Sequence, residues 1–126
     1  MKTLNEYMQE VKKNTSVYES SVSVKGSYKD FTVEPKKFLS SSYQAFVWNE
    51  NKDYWVAWHE ASESWEIHYE GGKYKNAIGN VYIGSKESYF LPPYEKGIKI
   101  SLDVMKLALL VQDVHEELLK IWEENN

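Results

Sequence analysis

Residues 43–70 read YQAFVWNENKDYWVAWHEASESWEIHYE, three runs of alternating aromatic and smaller side chains separated by polar clusters. A period of two sends successive side chains to opposite faces of a strand. The breaks at Asn49-Glu50-Asn51-Lys52-Asp53 and Glu60-Ala61-Ser62-Glu63-Ser64 are too short for a crossover helix. Tyr43–Trp48, Tyr54–His59 and Trp65–Glu70 are therefore expected to be antiparallel neighbours. Gly71-Gly72 continues the meander as a tight connection, and Tyr74–Ile83 contains Val81-Tyr82-Ile83 between Gly79 and Gly84. Ser88–Leu91 adds an edge strand that Pro92-Pro93 ends.

Outside this centre the period changes. Thr3 and Glu6 have capping-box spacing, and Leu4, Tyr7, Met8 and Val11 share one face of a short helix. Tyr18, Val22 and Val24 alternate as a strand. Phe31 and Val33 form another, stopped by Pro35, with Lys36–Ser42 as a mobile connecting loop. Ser101 caps a long helix running to about Glu124, in which Val104, Leu107, Val111, Val114, Leu118 and Ile121 make a 3-4 stripe. The expected fold is α+β. A short N-terminal helix and a long C-terminal helix pack on an antiparallel meander of about five to seven strands. One domain spans 1–126.

Composition narrows the function. The chain carries 15 lysines, no arginine, 19 acids and a net charge of −4. The lysines are scattered, so direct nucleic-acid binding, which needs a basic stripe and arginine forks, is not expected. Exclusive use of lysine suits an AT-rich coding genome, as in low-GC bacteria and their mobile elements. Without cysteine there is no disulfide, thiolate zinc site or thiol nucleophile. A polar start and short apolar runs point to a cytoplasmic protein without membrane contact.

The central strands carry aromatics on both faces: Tyr54, Val56 and Trp58 on one, Trp55, Ala57 and His59 on the other. Either the sheet is curled enough to build a core on each side, or one face is an exposed aromatic platform. On the second reading the partner-binding residues are Trp48, Tyr54, Trp55, Trp58, Trp65, His68 and Tyr69. Asp53, Glu60, Glu63, Glu66 and Glu70 form the charged surround. His59, Glu60, Glu63, Glu66 and His68 share one hairpin. Pairing residue 59 with 65 and 56 with 68 would put the two histidines on opposite faces, although register is not fixed by sequence. No metal-ligand spacing, nucleophile elbow or phosphate loop is present, and no catalytic residue, metal or cofactor is expected.

The expectation is a small non-enzymatic protein, monomer or homodimer, that inhibits or neutralises a protein partner. A toxin-immunity protein or a phage anti-defence inhibitor would fit, with a basic or nucleotide-acting enzyme as the partner. The alternative is a protein that sequesters a small molecule or nucleotide in an aromatic pocket.

Overall fold

In the computed structural model, which describes residues 2–14, 25–70, 77–93 and 97–126, the central alternating runs all become strands. β1 (Lys2–Thr3) precedes α1 (Leu4–Asn14) and a single 3₁₀ turn, Tyr28–Asp30. Then come β2 (Phe31–Phe38), β3 (Ser41–Trp48), β4 (Tyr54–His59), β5 (Ser64–Tyr69), β6 (Gly79–Ile83) and β7 (Ser88–Leu91). α2 (Leu102–Asp113) and α3 (His115–Asn125) complete the chain. The strands form one seven-stranded sheet in the order β1-β7-β6-β5-β4-β3-β2, antiparallel at every described pairing. The expected α+β meander is the fold. The strand read at Tyr18–Val24 and the Gly71-Gly72 connection lie outside the described residues.

Local chemistry explains the ends of the elements. Thr3 Oγ1 accepts the Glu6 N–H at 3.1 Å, and the Glu6 carboxylate accepts the Thr3 N–H at 3.3 Å, closing the capping box at the start of α1. Ser101 Oγ accepts the Val104 N–H at 3.3 Å and starts α2. Glycine at 79 makes room for the fully buried Phe90 ring: a Cβ there would lie 2.4 Å from Phe90 Cζ.

The helices cover one face of the sheet, which we term the inner face. Phe46, Trp48, Val56, Trp65, Ile67, Val81 and Phe90 meet Leu4, Met8, Val104, Leu107, Val111 and Leu118 in the main core. A second, smaller core lies on the outer face: Ala45, Val47, Trp55 and Ala57, with Phe38, Tyr43 and Trp122 against them. Both sides of the sheet centre are therefore interior.

The outer core exists because the sheet folds over itself. Three interstrand steps separate β2 from β5, about 14 Å in a flat sheet. Yet the Phe38 ring lies 4.7 Å from the His68 ring. Lys36, also on β2, reaches over Trp55 and pairs with Glu70 beyond β5. β3 and β4 are registered only at Phe46↔Val56 and Val47↔Trp55, so residues 41–45 are free to part from β4. The end of α3 enters the gap. Trp122 touches both cores, and the Asn126 side chain accepts the Gln44 N–H at 2.9 Å and donates to the Gln44 carbonyl at 3.1 Å. That amide replaces a peptide group of the missing neighbour. Pro35, opposite Gln44, has no N–H to offer.

Three expectations need correction. β2 does not stop at Pro35, and Lys36–Ser42 is not a loop. The two strands form a hairpin joined at Leu39-Ser40, and Pro35 is tolerated because β2 is an edge strand. The C-terminal helix is also not continuous. Val114, at φ −112° and ψ 17°, divides it, because α2 lies over β5 and β6 while α3 follows the departing β3.

The third is the edge: Ser88–Leu91, expected as an edge strand, is flanked by β1, so β7 lies inside the sheet. The register left open by the sequence places His59 opposite Ser64 and Trp55 opposite His68, one residue away from the alignment considered above. Both histidines consequently point to the outer face, at opposite ends of the hairpin.

Candidate functional site

The twelve residues expected to bind a partner do not share a surface. Trp48 and Trp65 are buried in the main core, and Tyr54, Trp58 and Tyr69 pack against it half-buried. Trp65 donates its indole N–H to His115 Nδ1 at 2.9 Å, and Trp58 packs edge-on against Trp65. Trp55 and His68 are sealed on the outer side, 5 % and 3 % exposed, with their rings stacked at 4.1 Å. Asp53 and Glu70 sit at one end of the β4–β5 hairpin, where the Glu70 N–H bonds the Asp53 carbonyl. Glu60 and Glu63 occupy the turn at the other end. Only Glu66 stands on the open part of the outer face, half-buried. The tryptophan-rich strands form the interior, the first of the two alternatives open in the sequence.

The folded-over hairpin covers β3, β4 and the near edge of β5. Beyond it the outer face continues across β6 and β7, and among the described residues no helix lies on it. Asn80 and Tyr82 alternate out of β6, with Leu91 and Tyr89 opposite them on β7. Tyr89 and Leu91 are 36 % and 39 % exposed. Phe38 on one side and Pro92 and Pro93 on the other enclose a cleft of about 430 Å³, with Glu66, Asn80 and Leu91 also lining it. This size suits a side chain or a small ligand.

Two polar groups converge in the cleft. Glu66 and Asn80 are register partners on β5 and β6. Cross-strand pairs hold their Cβ atoms about 5 Å apart. A chain of hydroxyls fixes the Asn80 amide. Asn80 Nδ2 donates to Ser64 Oγ at 3.0 Å, Ser64 and Ser62 hydroxyls meet at 2.7 Å, and Ser62 meets His59 Nδ1 at 2.7 Å. One N–H of the Asn80 amide is committed to a fully buried serine, and no described residue donates to its carbonyl oxygen.

Behind Glu66 lie two buried polar atoms without hydrogen-bond partners, His68 Nε2 and Tyr43 Oη. His68 Nε2 is 3.7 Å from Glu66 Oε1, too far for a hydrogen bond. Burial, and then the Glu66 charge, push the Tyr43 hydroxyl up to about 12, so it stays neutral. Among the described residues no lysine pairs with Glu66, and Lys36 pairs with Glu70. The result, among the described residues, is an acceptor-rich site: a carboxylate and an amide carbonyl beside an aromatic ring.

Two further grooves flank Asn126, of about 390 and 410 Å³, lined by Lys36 and Tyr43 and by Trp58 and Trp122 respectively. Among the described residues no three His, Asp or Glu side chains gather as a metal site, and no helix is long and apolar enough to cross a membrane. Phe38, Asn80, Tyr82, Tyr89 and Leu91 are the site residues that the sequence reading missed. The alternation of 79–83 and 88–91 carried the signal, but which face stays uncovered depends on where the β2–β3 hairpin folds. Compared with protein-family models, curated proteins and solved structures, the chain shows no significant match.

Proposed function

We propose that this domain is a non-enzymatic binding protein that captures and neutralises a basic protein partner, in the manner of a toxin-immunity or phage anti-defence inhibitor. The docking surface is the outer face of β5–β7 with its cleft. The observation that carries this reading is the outer-face strip of Tyr82, Tyr89 and Leu91, uncovered among the described residues, with the Glu66 carboxylate in the cleft beside Leu91. Partly exposed tyrosines give rigid contact area at low entropic cost, and the net charge of −4 favours encounter with a cationic surface. The same charge argues against the alternative of nucleotide sequestration, since a carboxylate at the cleft wall repels phosphate. The buried core leaves the sheet–helix side filled by Trp65, Phe46 and Phe90.

Site-directed photo-crosslinking in the native host tests the reading. A photoreactive phenylalanine analogue at Tyr89 should give one dominant adduct with a basic protein. The same probe at Tyr28, exposed on the 3₁₀ turn away from the cleft, should not. Equal labelling from both positions, or none from Tyr89, would overturn the proposal.

A further inference from the structure

We infer that the cleft between Phe38 and Pro92-Pro93 is built to receive the guanidinium of an arginine side chain from the partner. This rests on the docking reading above and specifies its chemistry. Glu66 offers two acceptor oxygens and Asn80 one, on adjacent strands at matching register, and one of the two Asn80 N–H donors is already held by Ser64. Three acceptors spread over about 5 Å match a planar fork of five N–H donors better than they match an ammonium, whose donors radiate from one point. The Phe38 ring supplies a face on which a guanidinium stacks, and the prolines opposite supply an apolar wall for the aliphatic stem.

The surroundings keep the carboxylate available. Glu66 is half-buried, with no described lysine against it, and its neighbour at 3.7 Å is His68, whose Nε2 is sealed from water with no hydrogen-bond partner. His68 cannot swing away. Trp55 stacks on one side of its ring at 4.1 Å, and Phe38 closes the other at 4.7 Å. A ligand contacting Phe38 and Glu66 therefore touches two neighbours of His68, one against its ring and one at its Nε2, so its binding is legible in the histidine ring signals. The chain contains no arginine, so no intramolecular guanidinium competes for the site.

The probe is a blocked tetra-arginine peptide titrated into the ¹⁵N-labelled full chain, with tetra-lysine, the neutral isostere tetra-citrulline, and agmatine as comparisons. Tetra-arginine should shift the Glu66, Asn80 and Leu91 amides and the His68 ring. It should bind at least about tenfold more tightly than tetra-citrulline, and more tightly than tetra-lysine. Glu66→Gln, which preserves shape, should weaken it about tenfold or more, while Glu123→Gln on the exposed end of α3 should leave it unchanged.

Equal binding of citrulline, equal affinity in Glu66→Gln, or shifts centred on α3 would overturn the inference. So would agmatine binding as tightly as the peptide, since that would make the occupant a small cation. The docking reading fails separately. If the Tyr89 adduct persists undiminished in Glu66→Gln and tetra-arginine does not bind, the face stands and the arginine assignment falls. If tetra-arginine binds but Tyr89 yields no adduct, the protein-partner reading falls and takes the arginine of a partner with it.

Discussion

Leu39 holds φ at 57°, a left-handed conformation that costs a branched L-residue about 1 kcal/mol. Its side chain is 74 % exposed, so replacing it loses almost no burial. Leu39→Asn, which tolerates this region without loosening the unfolded chain as glycine would, should stabilise the hairpin by about 0.5–1 kcal/mol in urea denaturation. Leu39→Val should do the reverse.

His115 makes the other residue-scale test. Its Nδ1 accepts the indole N–H of the fully buried Trp65, and burial lowers its pKa against the opposing pull of Glu116 and Glu117. A base whose folded pKa is depressed gives stability that is complete above its unfolded value, near 6.5, and lost as pH falls through that value toward the folded one. His115→Ala should cost about 1–3 kcal/mol at pH 7 by orphaning the indole N–H. It should also flatten the loss of stability on acidification that the unmodified chain shows in the same interval.

At the scale of elements, the parting of β3 from β4 makes everything on the outer face possible. The gap is closed by α3 through Trp122 and the two bonds from Asn126 to the Gln44 backbone. Asn126→Ala removes both, and exposed bonds of this kind are worth about 1 kcal/mol together. Hydrogen exchange should speed up at the Gln44 amide while the Trp65 indole stays protected. Equal acceleration at both would mean that α3 holds the whole sheet, not the β3 end alone.

The same element shows where sequence reading stops. The capping box of α1, the Ser101 cap and the proline stop after β7 rest on neighbours a few residues apart, and all were legible. The continuity of α2 and α3 was not, because Val114 fits a helical stripe and bends only to follow a sheet whose coil is set by distant contacts. Pro35 misled for a related reason: a proline stops an inner strand, but whether a strand is inner or edge is a fact of topology.

For the whole molecule the question is how so many rings are disposed. Alternation in 43–70 required aromatics on both faces, and that much was written in the sequence. It could not tell whether the second face would be covered, because the cover is supplied by Lys36, Phe38 and Tyr43 after the sheet coils. The candidate surface consequently moved from the tryptophan strands to β6 and β7, keeping Glu66 as the shared residue. A sheet with two cores at one end and, among the described residues, an uncovered outer face at the other is stable where it is thick and available where it is thin.

Solvent paramagnetic relaxation with a neutral gadolinium chelate measures this division in one spectrum. The indole N–H signals of Trp48, Trp55 and Trp65 should be nearly untouched, while the amides of Asn80, Tyr89 and Leu91 broaden strongly. Broadening of those three indoles to the level of Tyr89 would show the outer core open, and a tryptophan platform in place of the β5–β7 face.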